Sequence, residues 1–104
     1  MQLKSQTFTA RLRDGTTVQV KGIALRVTIE GKHRHFVVHS SATNPDQFFT
    51  VVSEVSTGLR LTCLPRYVRE PRAAKRLALQ TVREMLDQGL GPKINSQIEK
   101  RKVQ

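Results

Sequence analysis

The chain has 104 residues, 38% of them hydrophobic and 25% charged, a composition that fits one ordinary folded domain and excludes a disordered or fibrous protein. Its single cysteine, Cys63, has no second cysteine to pair with, which excludes a disulfide scaffold of the secreted type. Eighteen Lys and Arg against eight Asp and Glu give a formal net charge of +10, and a field of that sign attracts nucleic acid, acidic proteins or anionic membrane surfaces.

No apolar run approaches the ~18 residues of a membrane span, and the first residues lack the apolar stretch of a signal peptide. We therefore expect a cytoplasmic protein that does not use a membrane. Cys63 stands in an apolar run and is interpreted as a small buried side chain.

The first part of the chain predicts antiparallel strands. Residues 6–13 alternate apolar and polar with period two, as does the segment from Thr17 to Ile29. In that second segment the apolar positions are even through Val20 and odd from Ile23. A change of parity beside Gly22 predicts a β-bulge or a sharp bend of the strand.

Three further strands follow. Taking Gly31-Lys32 as the loop of the next hairpin places Leu25 opposite Val38, so that the apolar faces agree. Residues 41–47 read as a surface loop. The strands at 48–55 and 59–64 flank a loop with Gly58 in the left-handed conformation, which sets Val51 opposite Cys63 and Glu54 opposite Arg60. Pro65 is expected to end the last strand.

A helix is predicted over residues 71–88. Pro71 suits its first position, and the Glu70 carboxylate suits the positive end of its dipole. Gly89 fits the left-handed position after the helix, and Pro92 is expected to prevent continuation. The predicted fold is α+β: a curved antiparallel sheet of about five strands (β-β-β-β-β-α) with one long C-terminal helix on one face. Residues 1–92 form the domain, and residues 93–104 a basic tail or a short extra helical turn.

Three histidines, His33, His35 and His39, occupy odd-numbered positions of one strand, so their side chains share a face. A His-x-His pair can chelate zinc, but His39 lies about 13 Å beyond His35 along a strand, too far to ligate the same ion. No metal site is therefore predicted, and the histidines are interpreted as polar residues on an exposed or partner-facing surface. The acidic residues are scattered and no catalytic motif is present, so neither an enzyme nor a cofactor is expected.

The basic residues concentrate between Arg66 and Arg76, where five of them stand against Glu70 alone. This stretch spans the junction from the last strand to the helix, where backbone N–H groups favour phosphate. Tyr67 offers a stacking surface among the arginines. The residues predicted to contact nucleic acid are Arg66, Arg69, Arg72, Arg76, Arg26 and Lys21.

Two interpretations compete with simple solubility of a charged surface. The first is a non-catalytic accessory protein that binds nucleic acid mainly through phosphates. Because the sheet face away from the helix shows no pair of aromatics, base-specific readout is not expected. The second is a protein-interaction module, either a homodimer through the sheet or a receptor for an acidic partner. It rests on apolar residues predicted on that same face, namely Val37, Phe48, Val52 and Leu64.

Overall fold

A computed structural model describes residues 5–11, 15–40 and 48–102 of the chain. The elements are β1 (Ser5–Arg11), β2 (Thr17–Ile29), β3 (Lys32–His39), β4 (Phe49–Glu54), β5 (Arg60–Val68), α1 (Pro71–Asp87) and α2 (Gly91–Lys102). The strands pair antiparallel in the order β1-β2-β3-β4-β5. The predicted α+β class with an antiparallel sheet is confirmed.

The prediction of a single C-terminal helix is wrong, because two helices follow the sheet. Gly89 is left-handed after α1, with a φ of 82°, as expected. The chain then starts α2 at Gly91, with Pro92 in its first turn. A proline there removes no helical hydrogen bond, so it begins this helix rather than blocking one. The 12 residues of α2 replace the basic tail or short turn that was predicted for 93–104.

Both helices cover the same face of the sheet, which we call the helix-covered face. Its described buried residues come from β2, β3, β4, β5 and both helices, and Phe36 is the one aromatic residue among them. The buried members are Ile23, Leu25, Ile29, Phe36, Val38, Val52, Leu64, Val68, Ala74, Leu77, Ala78, Val82, Ile94 and Ile98. The other face, which we call the open face, carries the alternate residues Ala24, Arg26 and Thr28 of β2 and His33, His35, Val37 and His39 of β3.

The parity change in β2 does not come from a bulge. The pairing of β2 with β1 runs through Gly22 and Ile23 without a register shift, and the pairing with β3, which begins at Ile23, shows none either. Val20 instead packs with Val37 in a second apolar cluster, on the open face. Apolar residues before Gly22 thus point to one face of the sheet and those after it to the other.

Contact between Val20 and Val37 requires β2 to bend. Val37 lies opposite Ala24, and along a straight strand Val20 would be about 13 Å from Ala24. A Cβ atom on Gly22 would lie 2.4 Å from the Val38 carbonyl oxygen and 2.6 Å from Val37 Cγ2. Only glycine fits so close an approach, which agrees with the second predicted alternative, a bend.

The hairpin between β2 and β3 is shifted by two residues from the prediction. Glu30 and Gly31 form the turn, with φ values of 51° and 79°, and Leu25 lies opposite Phe36 rather than Val38. Both φ values are positive, as a type I′ turn requires. The shift is even, so the apolar residues stay on the predicted face.

The pairing of β4 with β5 was predicted in part. Val51 lies opposite Cys63 and Gly58 has a φ of 72°, both as expected. A register shift places Ser53, not Glu54, opposite Arg60. Cys63 is exposed, so its interpretation as a buried residue is wrong.

A buried arginine joins α2 to the sheet through hydrogen bonds. Arg34 of β3 is 6% exposed, and its Nε donates to Asn95 Oδ1 at 2.8 Å while its Nη2 donates to Glu99 Oε1 at 2.9 Å. Asn95 Nδ2 in turn donates to the Ile29 carbonyl oxygen at 2.9 Å. These bonds satisfy the buried polar atoms of the α2 interface.

Within the described ranges, no helix combines the length and the apolar character needed to cross a membrane.

Candidate nucleic-acid interface

The junction between β5 and α1 is organised by Glu70, which caps the helix. Its carboxylate accepts hydrogen bonds from the backbone N–H of Ala73 at 2.7 Å and of Arg72 at 3.1 Å. These two bonds lower the pKa of Glu70, and the nearby Arg72 and Arg76 lower it further. The carboxylate occupies amides that we expected to favour phosphate, so the arginine side chains are the groups left at this junction that could bind an anion.

Arg72 and Arg76 lie one helical turn apart on α1, and both are exposed. Residues four apart share a helix face, so the two guanidinium groups extend from one side of the first turns. The common effect of both arginines on the Glu70 carboxyl agrees with this placement. The structure brings together these two of the predicted contact residues.

Arg69 belongs to a second group, which contains two aromatic rings. Its guanidinium lies over the Phe48 ring, 4.8 Å from the centroid. The rings of Phe48 and Tyr67 are 6.0 Å apart and inclined at 39°. These distances are typical of cation–π and aromatic pairs. We call Phe48, Tyr67 and Arg69 the aromatic cluster.

An irregular part of β5 presents this cluster. Between the pairs Val51↔Cys63 and Phe49↔Val68, β4 advances by two residues and β5 by five (68 − 63). The surplus residues form a bulge that holds Pro65, which was wrongly predicted to end the strand. Because β5 is an edge strand, a proline there costs no pairing. Bulges redirect side chains, and this one leaves Arg66 and Tyr67 exposed.

Phe49 and Val68 pair across β4 and β5, and both contribute to the helix-covered core. Their neighbours Tyr67 and Arg69 are exposed and Phe48 is partly exposed, so the cluster lies outside the core. Two aromatic rings thus meet beside the junction, a pair that the sequence did not lead us to expect. Neither the width of the bulge nor the resulting pairing could be read from the sequence pattern.

Arg26 lies apart from the junction. It is exposed on the open face opposite His35, and the His35 carbonyl oxygen accepts from Val55 N, beyond the end of β4. Phe48 stands at the other end of β4, about 23 Å away along a strand. The three strand spacings from β2 to β5, which carries Tyr67, add about 14 Å across the sheet. Arg26 and the junction are thus separate positive regions.

Lys21 is exposed as well, but it points away from Arg26. The two residues are five apart on a strand without a bulge, so they leave β2 from opposite faces. The structure does not bring the predicted pair Lys21 and Arg26 onto one surface.

The apolar residues proposed for a protein contact are mostly in the core. Val52 and Leu64 pack on the helix-covered face, and Val37 is fully buried against Val20. Their predicted placement on an uncovered face is therefore wrong for Val52 and Leu64. Phe48 alone of the four stays partly exposed.

The histidines divide into two environments. His33 and His35 are exposed, whereas His39 is 3% exposed. His39 Nδ1 donates to the Ser40 carbonyl oxygen at 2.5 Å, and Nε2 accepts from Ser53 Oγ at 2.8 Å. Burial lowers the pKa of His39, with a smaller effect of Arg60 in the same direction, although the bond to Ser40 opposes it. The interpretation of His39 as an exposed polar residue is therefore wrong. Its lowered pKa keeps the buried ring neutral at pH 7.

No three histidine, cysteine or acidic side chains converge on a common point within residues 5–11, 15–40 and 48–102.

Comparison with known proteins gives no relative: no family model, no curated protein and no solved structure matches the chain. A functional assignment must therefore rest on the geometry of the junction.

Proposed function

We propose that this protein is a non-catalytic, basic accessory protein that binds nucleic acid mainly through phosphate contacts. The contacts are assigned to Arg66, Arg69, Arg72 and Arg76. The observation that carries the proposal is the junction itself: all four arginines are exposed within eleven residues, and one of them, Arg69, packs on Phe48 of the aromatic cluster. Guanidinium groups bind phosphate in a forked geometry that lysine cannot match.

The arrangement favours a polyanion over a small anion. Glu70 already holds two amides at the start of α1, so the junction lacks a free backbone cradle for a single phosphate. Arg66 on β5 and Arg72 and Arg76 on α1 project from different elements, which suits contacts to successive phosphates better than contacts to one small anion. The net charge of +10 adds long-range attraction.

The alternative of an acidic protein partner loses most of its support from the burial of Val37, Val52 and Leu64. It stays an outcome of the binding test, in which poly-glutamate is used as a competitor. Arg26 and Lys21 are assigned a supporting electrostatic role only, since they lie outside the junction.

Binding to fluorescein-labelled 20-mer oligonucleotides, followed by anisotropy, tests the proposal. The variant Arg72→Gln/Arg76→Gln should bind at least tenfold more weakly than the unmodified protein at ~100 mM salt, because each lost phosphate contact removes a charge-assisted bond. The matched control Lys93→Gln/Arg101→Gln removes two exposed charges from α2 instead and should change affinity less than threefold. Equal losses of affinity in both variants would show that binding depends on net charge and not on the arginines of the junction. Displacement of the protein by poly-glutamate at equal charge concentration would favour the acidic partner.

A further inference from the structure

Tyr67 is an unusual surface residue for this chain. Its exposure is 75%, and it is the one large hydrophobic residue that is exposed among the described residues. The chain has only five aromatic residues in total, yet two of them, Phe48 and Tyr67, meet beside Arg69 of the junction. An exposed aromatic ring in a positive surface is the combination found in single-strand binding sites.

The ring of Tyr67 packs against a second aromatic side chain. Phe48 lies against it at 6.0 Å, and Phe48 is itself covered by Arg69 at 4.8 Å. The backbone pair Phe49↔Val68 fixes the strand ends that carry these three side chains. A ring positioned before the ligand arrives loses less conformational freedom on binding.

We propose that Tyr67 is a base-stacking site and that the nucleic acid bound at the junction is single-stranded. This inference rests on the proposed function, since it assigns the class of nucleic acid to the same site. In a duplex the base faces are covered by their neighbours, whereas a single strand can offer a face to Tyr67 while its phosphates lie along the arginines. Stacking does not depend on base identity, so little sequence preference is expected.

A tryptophan reporter tests the contact directly. The chain contains no Trp, so Tyr67→Trp places a single indole at the site, and excitation at the red edge of its absorption avoids the bases. Saturating dT20 should quench its emission strongly, because a stacked base lies against the ring. An equal concentration of a 20-base-pair duplex should quench it little. Equal quenching by both ligands, or none by dT20, would overturn the stacking assignment.

Affinity measurements separate stacking from charge. Tyr67→Ala should weaken binding to dT20 by about fivefold to a hundredfold, the range measured for loss of one stacked base, and should leave duplex binding within twofold. Tyr67→Phe keeps the ring and should bind dT20 like the unmodified protein. Because Tyr67 is exposed, all three variants should keep the unmodified melting temperature, which excludes misfolding as the cause.

The outcomes distinguish this inference from the function on which it rests. If the unmodified protein binds dT20 and duplex equally and Tyr67→Ala changes neither, Tyr67 does not stack, while phosphate binding by the arginines stands. If the unmodified protein binds neither ligand at ~100 mM salt, the proposed function fails and the inference fails with it.

Discussion

Arg34 on β3 and Glu99 on α2 meet across 2.9 Å although they are 65 residues apart in sequence. The arginine is buried and the carboxylate is about half exposed. The pair, with Asn95 beside it, links α2 to β3. Loss of the arginine leaves Asn95 Oδ1 without this bond and opens space beneath the helix.

We predict that Arg34→Ala lowers the free energy of unfolding by about 2–3 kcal/mol, the usual cost of removing a buried, hydrogen-bonded guanidinium. Urea denaturation followed by circular dichroism measures it. Lys32→Ala is the matched control, because Lys32 reaches the same carboxylate from the surface at 3.7 Å and should cost no more than about 0.5 kcal/mol. Similar losses of unfolding free energy in the two variants would show that the buried bonds of Arg34 add no stability beyond a surface ion pair.

Gly22 should be the least replaceable glycine of the sheet. A methyl group there would lie 2.4 Å from a backbone oxygen, which β3 can relieve only by moving away from β2. We predict that Gly22→Ala costs about 3 kcal/mol in thermal or urea unfolding. Gly31→Ala is the comparison, since nothing lies within 4 Å of its Cβ position and only its φ of 79° is unfavourable; about 1 kcal/mol is expected. A smaller effect at Gly22 than at Gly31 would refute the close approach of the two strands.

His39 predicts a pH dependence of stability. Its pKa in the folded protein is lowered, chiefly by burial, from the ordinary value of 6.5. As pH falls below 6.5, the unfolded chain binds a proton that the folded protein does not, so stability is lost until the folded pKa is reached. The free energy of unfolding should be constant above pH 7 and fall by up to about 1.4 kcal/mol per pH unit below 6.5.

Urea titrations between pH 7.5 and about 5.5, above the range of the carboxylates, check this slope. His39→Gln should remove most of it, and the exposed His35→Gln should retain it. A slope that survives in His39→Gln, or disappears in His35→Gln, would assign the effect to another group.

Glu54 predicts a second pH dependence at lower pH. Its buried carboxylate accepts from the backbone N–H and the hydroxyl of both Ser56 and Thr57. Burial raises the pKa of Glu54, but these hydrogen bonds outweigh burial and the net shift is below the ordinary value of 4.5. The stabilisation is therefore complete above pH 4.5 and is lost as pH falls through the folded pKa. Glu54→Gln should lower stability at pH 7 by about 1–3 kcal/mol and flatten the profile below pH 4.5; an unchanged profile would contradict it.

The faces of the strands were readable from the sequence, but their register was not. Leu25, Phe36 and Val38 were placed correctly in one apolar face, yet the pairing was wrong by two residues. A period-two pattern is unchanged by any even shift, so the geometry of the turn decides the register. Here Glu30 adopts a positive φ, which is unusual for glutamate and was not predicted.

The site was predictable in composition and not in arrangement. The cluster of arginines and the cap at Glu70 follow from local sequence, whereas the meeting of Phe48 with Tyr67 depends on a bulge of β5 that has no sequence signature. The burial of Arg34 could have been predicted. Arg34 stands at an even position of β3, as Phe36 and Val38 do, so its side chain had to point to the core face. The second helix was missed because Pro92 was interpreted as a stop rather than a start.

The most direct test of the central claim is the salt dependence of binding to a single-stranded 20-mer. Each phosphate contact contributes about −0.7 to the slope of log K against log salt concentration, so four arginine contacts predict a slope near −3 (roughly 4 × −0.7). The Arg72→Gln/Arg76→Gln variant should give about −1.4, two contacts fewer. No measurable binding at ~100 mM salt, or the same slope in both proteins, would contradict phosphate recognition by this junction.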